Sequence, residues 1–254
     1  MKYTVLTLFP EIIDAFFANS IMAKAIKRGI IEYKAINIRD FATDKHKTCD
    51  DAPYGGGPGM LMLPEPLGLA LNSALSGAVK SEADGTTGEK PRVIYLSPSG
   101  RPFNQELARE LAAEKELILL CGRYEGIDQR IIDRYVDDEI SVGDYVLSSG
   151  EVAALAVIDA TYRLVDSVIC ADSLTEESFS DGLLEYPQFT RPELYDTMKV
   201  PEVLLSGHHE QIRLWRLEKR VEKTLSQRPD LIQRGRELGI FNDEINGIID
   251  RRTT

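Results

Sequence analysis

"LCGRYEGIDQR", residues 120–130, joins the end of an apolar run, ELILLC at 116–121, to a loop carrying two glycines. A short apolar run that stops at a glycine reads as a buried strand. Four similar runs occur in the first two thirds of the chain: YTVLTLF at 3–9, IEYKAINI at 31–38, RVIYLS at 92–97 and EISVGDYVL at 139–147. Segments with helical spacing separate them. In PEIIDAFFANSIMAKAIKRG (10–29), Ile12, Ile13, Phe16, Phe17, Ile21 and Ile26 follow a helical period, with Pro10 suited to the first turn and Gly29 to the C-terminal cap. NQELARELAAEK (104–115) and SGEVAALAVIDATYRLV (149–165) read as further helices, the second apolar enough to be buried. Such alternation predicts an α/β domain with a mainly parallel sheet.

Further along the chain the pattern changes. Residues 168–192 are irregular and acidic, and only helical signals follow, in HHEQIRLWRLEKRVEKTLSQ (208–227), RPDLIQRGRELG (228–239) and DEINGIIDR (243–251). In the first of these, Leu214, Leu217, Val221 and Leu225 are expected on one side and the bases on the others. SEADGTTGEKP (81–91) is polar and Gly-rich and reads as an exposed, mobile insert. The expected organisation is an α/β domain over 1–167, an acidic linker over 168–177 and a small all-helical domain over 178–254.

Three glycine-bearing loops follow the third, fourth and fifth predicted strands: YLSPSGRPF (95–103), CGRYEGIDQR (121–130) and SVGDYVLSSGE (141–151). Adjacent strand ends of one parallel sheet place such loops side by side, where open α/β sheets bind ligands. Three unrelated turns are the alternative to one shared small-molecule pocket. An ordinary dinucleotide site is excluded, because the first strand runs into Phe9-Pro10-Glu11 with no glycine, and no GxxxxGK[ST] segment occurs. APYGGGPGM (52–60) lies past the second strand, and Pro58 removes an amide donor, so it makes a poor phosphate cradle. A ligand-facing loop and a bare turn remain for it.

The chain has 254 residues, 43% apolar and 28% charged, with no apolar run near the roughly 20 residues of a membrane helix. The opening MKYTVLTLFPEII carries one lysine and no small-residue cleavage site, which predicts a cytoplasmic address. Cys49, Cys121 and Cys170 are scattered and fit reduced thiols better than a disulfide frame or a zinc site. The net charge of −11 opposes nucleic-acid binding in sum, but not in distribution. Residues 206–236 hold eight bases against four acids, and residues 24–47 hold seven against three. Either segment can track a phosphate backbone or form a solvated face.

The segments DKHKTCDDAPYGGGPGM, YLSPSGR, LCGRYEGIDQR, ISVGDYVLSSGE, GLLEYPQFTRP and GHHEQIRLWR, in this order from residue 44 to 216, resemble the bacterial tRNA (guanine-N1)-methyltransferases of the SPOUT superfamily. The resemblance implies a parallel-sheet α/β domain ending in a trefoil knot, a topology that ordinary sequence rules would not propose. It also implies S-adenosyl-L-methionine bound in the knot loops, and a homodimer whose active sites draw on both chains. The implied substrate is tRNA, methylated at N1 of the guanosine 3′ of the anticodon (position 37 in tRNA numbering), with preference for a preceding G. Magnesium is expected to assist, and neither DNA nor membrane is an expected partner.

Carried onto this chain, the resemblance makes Glu177 the general base and Arg163 its supporting arginine. Asp181 and Glu176 are rival bases, and family members often have Asp where Glu177 stands. The cofactor is expected against Tyr95, Leu96, Ser97, Gly122, Tyr124, Glu125, Val142, Gly143, Asp144, Tyr145, Val146, Leu147 and Gly150. Tyr54, Gly55, Gly56 and Gly57 are expected to face the extruded base, and Arg191, Arg216 and Arg220, with Arg213, Lys219 and Lys223, the phosphates. No metal ligand is assigned, since neighbouring His208 and His209 on a helix diverge by about 100°. Ser149 replaces the first of two glycines usual in the family, placing a side chain where backbone normally meets the ligand. These two departures keep open a non-catalytic RNA binder, and a related enzyme acting on ribose or rRNA is a further alternative.

Overall fold

A computed structural model describes residues 1–80, 90–170 and 177–253, which fall into two compact units, Met1–Ile169 and Cys170–Thr254. In the first unit the order is β1 (Lys2–Thr7), α1 (Pro10–Phe17), α2 (Ser20–Lys27), β2 (Glu32–Asn37), β3 (Asp50–Asp51), β4 (Leu61–Met62), α3 (Pro64–Lys80), β5 (Arg92–Pro102), α4 (Gln105–Ala112), β6 (Glu116–Cys121), α5 (Gln129–Tyr135), β7 (Asp138–Ser141) and α6 (Gly150–Tyr162). Five strands form one parallel sheet in the order β2-β1-β6-β5-β7, while β3 and β4 make a separate antiparallel pair.

Both sheet faces are covered, which explains why the strands read as continuous apolar runs. Val5, Ile94, Leu96, Leu117 and Leu119 pack with α1, α2, α4 and α6 on one face. Leu6, Val93, Tyr95, Ile118 and Leu120 pack with α3 and α5 on the other. This is the period-2 alternation of a strand between two helical layers.

Several elements differ from the sequence reading. The segment 10–29 is two helices, because Asn19 is extended and its side-chain Nδ2 donates to the Ala15 carbonyl at 2.7 Å, competing with the helical ladder. β7 stops at Ser141, where the hydroxyl bonds the Gly143 carbonyl at 3.0 Å and Gly143 takes φ +154°. α3 has no counterpart in that reading, since Pro66, Gly68 and Gly77 dilute its pattern and its inward residues, Leu67, Ala70, Leu71 and Ala74, are partly small. The predicted mobile insert lies outside the described residues from 81 to 89, as does the linker from 171 to 176, Glu176 included.

β5 runs past its predicted end. Leu96 and Arg101 both pair with Ile140, so Ser97 to Gly100 loop out of the sheet. An ionic clasp spans this excursion. Arg92, before it, meets Asp138 at 2.5 Å and Glu110 at 2.7 Å; Arg101, after it, meets Asp138 at 2.9 Å and Glu110 at 3.4 Å.

In the second unit β8 (Leu194–Tyr195) and β9 (Met198–Lys199) form a hairpin, followed by α7 (Glu202–Leu205), α8 (His209–Gln227), α9 (Pro229–Glu237) and α10 (Asp243–Thr253). Leu183, Val221, Ile232, Phe241, Ile245, Ile248 and Ile249 form its core, with Leu217 and Leu225 packed against it. Leu214 is exposed. The inward stripe of α8 passes instead through Arg220 and Thr224, one turn on from Leu217.

Replacing Asp138 by Asn removes one of the two carboxylates that both arginines of the clasp share, leaving Glu110. The expected loss is about 1–3 kcal/mol of unfolding free energy, read from the denaturant midpoint, with the native sheet retained.

Candidate active site

The carboxyl ends of β5, β6 and β7 lie side by side, and their loops wall a cavity of about 330 Å³. Its deepest wall forms where α6 begins. The Gly150 amide donates to the Gly122 carbonyl at 2.9 Å, and a Cβ on Gly150 would stand 2.8 Å from the Cys121 Cα. Only glycine permits that approach without moving the backbone of one loop or the other.

Of the residues expected at the cofactor, Tyr95, Leu96, Ser97, Gly122, Tyr124, Glu125, Val142, Gly143, Tyr145, Val146, Leu147 and Gly150 line this cavity. Asp144 belongs to the same turn but not to the wall. Arg123, Gly126, Ser141, Ser148 and Ala153 are among the further lining residues that sequence reasoning did not assign to the cofactor, as are Pro98, Ser99, Ile140 and Ser149. All but Ala153 lie within the quoted motifs, but their residue types alone do not announce a ligand. The Tyr95 phenol is pushed up from its ordinary pKa, first by burial and then by the negative charge of Glu139, so it stays protonated through neutral pH.

The glycine stretch 52–60 is tied to this cavity. Glu125 donates its amide to the Met60 carbonyl at 3.0 Å, and Met62 donates to Gly126 at 3.0 Å. The Glu125 side chain lies over Gly59, where a Cβ would meet its Cγ at 2.3 Å. Gly55, Gly56, Gly57 and Gly59 all take positive φ, and Tyr54 beside them is fully exposed. The stretch is therefore a turn whose far end packs on the cavity wall.

Ser149 takes φ −166°, extended backbone open to any residue, so the replacement of a glycine there brings no backbone strain. Arg163 is the C-cap residue of α6. In the second unit, Glu177 begins a turn in which its carbonyl accepts the Ser180 amide at 3.1 Å. Arg191 is exposed, and the Arg216 guanidinium lies 4.8 Å from the centre of the Tyr186 ring. Trp215 is half-buried and tilted against Phe189 at 6.3 Å.

Arg220 departs from expectation. It is 6% exposed, forms a bidentate ion pair with Asp181 and donates to the Leu184 carbonyl at 3.3 Å. A guanidinium held this way is a core strut and has no free edge for a phosphate. The same pair engages Asp181, the rival base. Arg213 is bound by Glu210 at 2.8 Å and Glu244 at 2.6 Å, and Lys219 by Glu222 at 2.6 Å, so much of the predicted basic face is internally neutralised.

An open parallel sheet with a glycine-walled cavity at its carboxyl edge defines an α/β protein that takes a small molecule there. The family model described as tRNA (guanine-1)-methyltransferase TrmD matches residues 1–234, and the chain belongs to that family, a SPOUT-class group of methyltransferases that use S-adenosyl-L-methionine. It is similar to the tRNA (guanine-N(1)-)-methyltransferase of Treponema denticola, with 61% identity across 98% of both chains. Those of Treponema pallidum and Borreliella burgdorferi are 55% and 57% identical, over 98% and 91% of this chain and 95% and 92% of theirs.

Because Ser149 is unstrained, Ser149→Gly is expected to shift donor affinity less than about twofold and to cost a few tenths of a kcal/mol through the unfolded chain, measured by calorimetry and thermal melting.

Proposed function

We propose that this chain transfers the methyl group of S-adenosyl-L-methionine to N1 of the guanosine 3′ of the anticodon in tRNA, with preference for a preceding G. The observation that carries this reading is the cavity itself, walled by the strand-end loops of a chain in this family. Its volume and its glycine-lined floor suit a small polar molecule pressed against main chain. The donor supplies an electrophilic methyl on a cationic sulfur, whose thioether is a good leaving group.

The harder task falls to the protein. Guanine N1 carries a proton and is a poor nucleophile until it loses it. Glu177 accepts that proton, a contribution of about 10²–10⁴-fold in rate. Arg163 stabilises the charge that then gathers on O6. The loop 52–60 offers exposed main chain and Tyr54 to a base drawn out of its stack. Arg191 and Arg216 contact phosphates.

In this reading the residues 1–167 form a knotted domain, 168–177 a linker and 178–254 the tRNA-binding domain. The looped excursion of β5 beside β7 is consistent with a knot. The active site is shared across a homodimer in the cytoplasm. Val146, 87% exposed on the cavity wall, with exposed Tyr145 next to it in the chain, is the kind of surface a second copy would cover. No described helix is long and apolar enough to cross a membrane. Among the described residues no cluster of three or more His, Cys, Asp or Glu side chains could hold a metal ion, and magnesium is kept as an assistant only.

Glu177→Gln is expected to lower turnover by about 10²-fold or more while donor affinity holds, measured with labelled donor and transcript tRNA. Unchanged turnover would remove Glu177 from the reaction. Arg191→Gln with Arg216→Gln should weaken tRNA binding and reduce the slope of log K against log salt by about two. Gly122→Val should drive the Tyr95 ring, already within 2.8 Å of a Cβ at that position, into the cavity and reduce donor affinity at least about tenfold.

A further inference from the structure

Behind the cavity lies a carboxylate that the proposed reaction does not use. Glu151, the second residue of α6, is 1% exposed. Its Oε1 accepts the Thr7 hydroxyl at 2.6 Å, while Oε2 has no hydrogen-bond partner among the described residues. The guanidinium of Arg123 stands 3.9 Å from Oε2, too far for a hydrogen bond, and lies 4.4 Å from the centre of the Phe9 ring. A buried carboxylate left half-satisfied is costly, even at a helix N-terminus where the field favours it. Its charge reaches the cavity floor: the buried Cys121 thiol, adjoining Gly122, is held above its ordinary pKa first by burial and then by Glu151.

Charge balance shows what that carboxylate does. Among the described residues that line the cavity, Arg123 is the one base and Glu125 the one acid, so the wall is neutral without Glu151. Glu151 behind it at Cys121, and Glu139 beside Tyr95, then place the wall in a net negative field, of which Glu151 is the buried part. S-adenosyl-L-methionine bears a sulfonium and an ammonium against one carboxylate and is cationic. Transfer breaks the sulfur–methyl bond, its electron pair stays on sulfur, and the methyl bonds to guanine N1 as the N1 proton leaves to the base. S-adenosyl-L-homocysteine, the product, is therefore a neutral zwitterion.

We propose that Glu151 is a specificity-determining residue, whose buried charge makes the cavity favour the cationic donor over the neutral product. It touches neither ligand and acts through its field and through Arg123. The inference rests on the cavity being the donor site.

The test is calorimetric titration of the full chain with S-adenosyl-L-methionine and, separately, with S-adenosyl-L-homocysteine. Glu151→Gln keeps an acceptor for Thr7 and removes the charge. It is expected to weaken the donor about tenfold and the product less than about twofold, the order for one charge acting across roughly 10 Å at an effective dielectric of about 20. Arg123→Gln should raise the donor-to-product preference, and the double variant should return it to within about threefold of the parent. Equal weakening of both ligands by Glu151→Gln would make the residue a buttress only and overturn the inference. If Glu151→Gln does not fold, Arg123→Gln decides alone, and an unchanged ratio overturns the inference. Gly122→Val separates the two levels. Should it leave both ligands unaffected, the cavity is not the site; should it weaken both while Glu151→Gln leaves the ratio unchanged, only the role of Glu151 falls.

Discussion

The contact on which this site depends is the approach of the first turn of α6 to the end of β6. The Gly150 amide meets the Gly122 carbonyl, and no Cβ fits between Gly150 and Cys121. Because that junction is closed by main chain, the loops after β6 and β7 become opposite walls of one cavity. The β5 excursion supplies the third wall, and the clasp of Arg92 and Arg101 on shared carboxylates sets its span. The 52–60 loop is drawn in through Met60 and Gly59. Backbone contacts thus define the cavity, and side chains tune it.

The same economy governs charge. Much of the basic surface of α8 is spent internally: Arg220 braces Asp181 and Leu184, while Arg213 ties α8 to α10 through Glu244. Arg191, by contrast, is exposed, and Arg216 lies over the Tyr186 ring. Around the cavity, Arg123, Glu125 and Glu151 leave a net negative environment, which suits a cation.

Much was legible without coordinates. The apolar runs at 3–9, 92–97 and 116–121 became β1, β5 and β6 because residues buried on both faces have no polar alternation to disguise them. The motif order carried the family, and with it twelve residues that do line the cavity. Ser149 was harder to weigh. Its residue type suggested strain, and only its extended φ shows that none exists.

The chain alone determined the alternation of strand and helix, the positions of the glycine loops and the chemical types available to them, since these follow from local pattern and covalent character. The tertiary structure decided how each charge is engaged. Arg220 and Arg216 sit four residues apart on one helix and look alike in one dimension, yet one is buried against Asp181 and the other lies over Tyr186. Glu151 is one acid among many in the sequence, but its bond with Thr7 joins residues more than a hundred positions apart. Desolvation and pairing depend on neighbours brought together by packing, and no local window of sequence contains them.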